Sequence, residues 1–296
     1  MPPPPRWATP GCTPPTSASR SRRPVDDDPG TEHDRPEEPV VRIGVLGAGR
    51  IGGTIARRLS ADGHAVTLAN SRGPETLRDL AEEIGATAAH AAEAAEDAQV
   101  VITSVPFPRV PSLREVISRA PQDVIVIDTS NYFSFKDGLI QAVEDGRVES
   151  EWVQEQLGRP IVKAWNNTLA GSFMTKASPP GAPGRIALAV SGDDPQAKAT
   201  AMRFVDTTGF DPVDAGPIAD SWRQQPGTPA YCTDLTADEL RKALAAADRS
   251  TMTERRDRMV AEMRQHEGMP ANEELLRLSR KHYLEPGTGP SRRLGR

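Results

Sequence analysis

The chain is poor in the residues that staple small folds or hold metals. Among 296 residues there are two cysteines and five histidines. Cys12 and Cys232 are too few for a disulfide framework and have no metal-ligand spacing, so a reducing cytoplasm is the expected compartment and no metal site is predicted. No stretch approaches the roughly 18 apolar residues of a membrane span. The formal net charge of −5 offers no clustered basic face for nucleic acid. His33, His64, His90, His266 and His282 all fall away from the predicted C-terminal strand ends, which argues against a histidine acid. A Tyr-x-x-x-Lys pair on a helix is missing, as is a helical Lys-x-x-x-Asn. No residue is therefore assigned a catalytic role.

What is present is a glycine-rich turn in a strong context. Val41–Leu46 is an apolar run ending in Gly47-x-Gly49-x-x-Gly52, and Ile51, Ile55 and Leu59 follow four apart. This pattern reads as the strand, turn and helix of a dinucleotide-binding βαβ unit. Gly47 permits the tight turn, Gly49 lets backbone approach a pyrophosphate, and Gly52 lets the helix pack close to the strand. The next strand, His64–Ala69, ends at Asn70-Ser71-Arg72. An NAD site places a carboxylate there, about 20 residues after the glycines, to hold the ribose 2′-OH. Asn70 stands in its place, while the Ser71 hydroxyl and Arg72 guanidinium suit a 2′-phosphate. NADP is favoured over NAD.

The fold class is α/β: a Rossmann-type doubly wound, mostly parallel sheet with a C-terminal helical extension. Residues 1–39, with Pro2–Pro5, an Arg20–Arg23 cluster and Asp26–Asp28, have little to bury and are expected to be a disordered tail. From 40 to 216 strand-like runs alternate with helical patterns, and a unit of Arg185–Val190, a helix and Pro212–Val213 closes the series. Residues 217–285 read as a loop and helices, and 286–296 as a flexible tail. Trp222 and Tyr231 fit a lid or a docking contact equally. Met252, Met259 and Met263 share a helical face suited to a core or a dimer interface. Asp128 reads as a strand-terminating acceptor, and Lys163 as a cofactor or acceptor contact or as a lysine lying over Trp165.

The glycine turn, Asn70–Arg72, Asp128–Tyr132, Lys163-Ala164-Trp165-Asn166, Ser191–Asp194 and Gly209–Gly216 occur in this order. The set resembles the NADPH-dependent F420 reductase-like family over about residues 40 to 235. The resemblance implies a Rossmann domain that passes a hydride between NADPH and the deazaflavin F420, or a flavin in a related branch. It implies that Gly47, Gly49, Arg50, Ile51 and Gly52 hold the pyrophosphate and that Ser71 and Arg72 hold the 2′-phosphate. Ser104, Val105 and Pro106 would follow the nicotinamide ribose, and Asn131, Lys163, Trp165 and Asn166 would line the acceptor pocket. The related enzymes suggest a homodimer. Transfer between two stacked heterocycles depends mainly on positioning, which fits the lack of a dedicated acid. Two alternatives stand beside this reading. One is an NADPH-dependent reductase of a small imine or carbonyl; the other is a non-catalytic NADP(H)-sensing protein.

Overall fold

A computed structural model describes residues 39–284. Of the tails expected at 1–39 and 286–296, residues 1–38 and 286–296 lie outside the described residues. Strands β1 (Arg42–Leu46), β2 (Ala65–Ala69), β3 (Thr87–Ala88), β4 (Val100–Thr103), β5 (Ile125–Asp128), β6 (Val162–Lys163), β7 (Ala187–Gly192) and β8 (Asp211–Asp214) form one sheet. Its order is β3-β2-β1-β4-β5-β6-β7-β8. Helices α1 (Arg50–Ala61), α2 (Arg78–Ile84), α3 (Ala91–Glu96), α4 (Arg114–Arg119), α5 (Ser134–Asp137) and α6 (Gln141–Glu144) connect the first half. They are followed by α7 (Glu149–Leu157), α8 (Ala170–Thr175), α9 (Pro195–Thr207), α10 (Ala237–Ala245), α11 (Arg249–Met263) and α12 (Asn272–Tyr283).

Alternation along the strands builds two cores, one on each face. Ile43, Val45, Val100, Ile102 and Ile127 point to the side of α1 and α9, with Ile55, Leu59 and Phe204. Leu46, Val101 and Val126 point the other way, toward Ala94, Ile117, Trp152 and Val153. Burial on both faces explains why these strands read as unbroken apolar runs. Gly44 belongs to this packing, because a Cβ there would lie 2.0 Å from the Ala94 carbonyl oxygen.

Every neighbouring pair is parallel except β6 and β7, which run antiparallel. The connection 164–186 therefore starts and finishes at the same end of the sheet and needs no crossover. The β7-α9-β8 unit is a parallel βαβ unit hung upside down on the rest. Periodicity carries no information about strand direction, so the reversal is a finding of the structure.

The helical extension is docked in two patches. Leu240, Ala243 and Leu244 of α10 pack on Ala187, Ala189 and Val213. Met259, Leu278 and Tyr283 from α11 and α12 enclose Tyr231 and Cys232, with Phe133, Leu169, Met263 and Leu275 around them. Tyr231 thus serves as the docking contact. Trp222 is half-buried and lies against the guanidinium groups of Arg223 and Arg249. Among the described residues, no helix is long and apolar enough to cross a membrane.

Candidate functional site

β1 and β4 are sheet neighbours whose crossovers leave in opposite directions, so a crevice opens beyond their C-terminal ends, where ligands bind in sheets of this kind. A cleft of about 420 Å³ lies there, lined by Gly47, Gly49, Asn70, Ser71, Ala91, Ser104, Val105, Pro106, Arg109, Ser112 and Leu113, among others. Gly47 has φ +113, and a Cβ on it would meet the Ser104 carbonyl oxygen at 2.1 Å. At Gly52 a Cβ would lie 1.9 Å from the Gly47 carbonyl oxygen. At Gly49, by contrast, nothing lies within 4 Å. That open space beside the first N–H groups of α1, which have no partner within the helix, is shaped to admit a diphosphate. Arg50 and Ile51 follow directly in the first turn.

Asn70 holds the turn after β2. Its side-chain oxygen accepts from the Arg72 N–H at 2.8 Å, and its amide donates to Thr76 Oγ1 at 2.9 Å. Ser71 and Arg72 are thereby presented in the open. No acidic residue lines the cleft. Across it, the ends of β4 and β5 are tied together: Thr129 Oγ1 donates to Ser104 Oγ at 3.2 Å and Thr103 Oγ1 to Asp128 at 3.0 Å.

The four residues implied for an acceptor pocket are placed differently. Lys163 is fully buried, with its ammonium 2.6 Å from Asp128 and donating to the Ser130 carbonyl. Trp165, at φ +55, is buried in the core and donates from its indole N–H to Thr208 Oγ1 at 3.0 Å. The Asn166 amide donates to Asn131 Oδ1 at 3.0 Å and to the Gln224 carbonyl at 2.9 Å, and its oxygen accepts from Gln224 at 2.8 Å. Asn131 is half-buried and donates back to the Asn166 carbonyl. Asn131 and Asn166 thus bond to each other and to Gln224, whereas Lys163 and Trp165 are each committed to other partners, Asp128 and Ser130 for the first and Thr208 for the second. The segment 224–233, buried at every position, crosses this end of the sheet and bonds to it through Cys232 N–H and the Asn167 carbonyl at 2.9 Å.

Two residues of interest escaped the sequence reading. Arg109 lines the cleft, and its only sequence signal is its place in Pro106-Phe107-Pro108-Arg109, just past a strand end. Glu149, at the start of α7, is buried and accepts from the Tyr132 N–H at 3.2 Å. Burial pushes its carboxyl up to about 7, against the opposing pull of the Lys163 charge, the Tyr132 N–H, Gln225 and Arg256. Between pH 4.5 and about 7 the folded chain therefore holds a proton that the unfolded chain has lost. Stability should fall as pH rises through that window, by roughly 3 kcal/mol in all, and level off above it. Glu149→Gln should remove this slope, so that urea unfolding at pH 5 and pH 8 changes less than in the wild type. An equal slope in both proteins would show that Glu149 does not carry it.

Residues 42–132, which contain every lining residue of the cleft, match the family described as NADP oxidoreductase, coenzyme F420-dependent. The chain belongs to that family. Among solved structures, this F420-dependent NADP oxidoreductase family member is similar to SMa0349 from Sinorhizobium meliloti, with 30% identity and a TM-score of 0.57. That likeness covers 67% of this chain and 96% of SMa0349. A candidate F420-dependent NADP-reductase from Arthrobacter sp. FB24 shares 25% identity at a TM-score of 0.49, over 61% of this chain and 87% of its own. YjhV of Escherichia coli K12 is 52% identical over 69 residues, or 23% of this chain, and the chain spans about half (50%) of that curated relative. The Lys163–Asn166 cluster and the helical extension lie outside the residues that match the family.

Proposed function

We propose that the chain is an NADP(H)-dependent oxidoreductase that passes a hydride between the nicotinamide ring and a planar deazaflavin or flavin acceptor. The observation that carries this reading is the cleft itself. It has a glycine cradle at Gly49, Asn70 and Ser71 after β2 in place of a carboxylate, with Arg72 exposed next to them, and no acidic lining. When bound, the nicotinamide would supply a hydride from its C4; NADPH would be oxidised to NADP+, and the acceptor would gain the hydride with its electron pair and take one proton from water. The protein's part is positional. The α1 N-terminus and Gly49 hold the diphosphate, Ser71 and Arg72 hold the 2′-phosphate, and Ser104–Pro106 set the nicotinamide ribose. The cleft lining contains no histidine, carboxylate, lysine or tyrosine to act as a proton donor. Transfer between stacked rings needs none.

One observation favours a second reading. Lys163, Trp165 and Asn166 are all buried, and Asn166 is bonded to Gln224 of the buried segment 224–233, which suits a protein whose extension reports NADP(H) occupancy to a partner. Stopped-flow absorbance separates the two. With NADPH present, F420 should bleach in step with NADPH loss, while FMN, FAD and riboflavin react slowly. Reduction of flavins alone would move the acceptor to the flavin class. Saturable NADPH binding with no turnover on any of the four would overturn hydride transfer to such acceptors and leave the sensor.

A further inference from the structure

We infer that Arg109 is a second cationic contact for the 2′-phosphate of NADP(H), beside Arg72, on the wall of the cleft that faces Asn70 and Ser71. The inference rests on the NADP reading above and adds a specificity-determining residue from the opposite wall.

Arg109 is carried on a rigid support. Residues Phe107–Leu113 form a 3₁₀ segment after β4, with Pro106, Pro108 and Pro111 fixing the backbone. Phe107 is buried and stacks on Trp152 at 4.7 Å between centroids, and Val110 and Leu113 are buried on the same side. The Arg109 N–H donates to the Pro106 carbonyl at 2.8 Å, and Ser112 Oγ donates to the Arg109 carbonyl at 2.6 Å. The backbone is thus held in place while the side chain remains exposed on the cleft.

Its charge is uncommitted. Among the described residues the Arg109 guanidinium makes no ion pair or side-chain hydrogen bond. Arginines further along the same stretch are engaged: Arg114 donates to the carbonyls of Glu155 and Gln156, and Arg119 pairs with Glu96 and Glu115. A cation beside a cleft without acidic lining calls for an anion. The cleft already presents Asn70 and Ser71 on the facing wall, where the ribose 2′-position falls in folds of this type. Ala91, Val105 and Leu113 offer apolar faces for the adenine between them. A planar guanidinium suits a phosphate dianion, and a neutral 2′-OH gains little from it.

The test is equilibrium binding of NADPH and NADH to the full chain, to Arg109→Gln, to Arg109→Lys and to Arg72→Ala. Arg109→Gln should weaken NADPH about tenfold or more, the loss of one charge-assisted bond, and leave NADH within about threefold. Arg109→Lys should recover part of the NADPH affinity, and the NADPH loss should shrink at high salt. Equal weakening of both cofactors would mean that Arg109 stacks on adenine or shapes the cleft, and would overturn the assignment. No change in either would overturn it too. A wild-type chain without preference for NADPH would instead sink the 2′-phosphate reading as a whole. Because Arg109 is exposed and unpaired, its variants should melt with the wild type, which keeps these outcomes legible.

Discussion

Gly52→Val should abolish NADPH binding, raising the dissociation constant at least 100-fold, and should cost several kcal/mol of stability. The mechanism is steric. A Cβ at position 52 would lie 1.9 Å from the Gly47 carbonyl oxygen and 2.9 Å from Ser104 Cβ. Neither neighbour can yield without prising α1 from the turn or opening the cleft wall, and the α1 N-terminus then leaves the diphosphate position. Gly53→Ala is the control. It lies one residue on in the same helix, its Cβ would meet nothing closer than 3.6 Å, and alanine is a better helix residue by about 1 kcal/mol. It should bind NADPH normally and melt slightly higher. Isothermal titration beside thermal melts reads both variants. Normal NADPH affinity in Gly52→Val would refute the close-packing role.

The second large effect concerns Lys163. Lys163→Met should destabilise the fold by about 3–5 kcal/mol, because it leaves Asp128 as a buried charge without its cation. Asp128 keeps its bonds from Thr103 and Ser130, so some of the structure persists. Asp128→Asn combined with Lys163→Met should recover much of the loss below about pH 7, where the buried Glu149 carboxyl is protonated and Asp128 no longer stands as a lone charge. A residue that touches the acceptor would behave otherwise: stability would hold, the double variant would recover nothing, and only the acceptor KM would rise. Urea unfolding and steady-state kinetics on the wild type and these two variants decide between the roles.

The legibility of these features in the sequence follows from their range. The glycine turn was readable because the three glycines and the strand and helix they join lie within residues 42–61, so their spacing alone carries the motif. The two-faced core was readable because alternation is local. The direction of β7 was not, since its apolar run packs equally well either way up. Lys163 and Asp128 are 35 positions apart, and at strand ends their residue types suit a site as well as a buried pair. Only the third dimension shows the two closed on each other, with Thr103 and Ser130 completing the set. Arg109 was not legible, because its direction is set by the 3₁₀ segment after β4, which decides whether it faces solvent or the cleft.

The two margins of the sheet constrain how copies of this chain could associate. At one border β3 is two residues long; at the other, β8 carries Pro212, which lacks an N–H, between Asp211 and Asp214. A short border and an acidic, proline-interrupted one both resist strand-by-strand extension. The sheet is thereby built to end at eight strands within one copy, rather than to continue into a neighbour's.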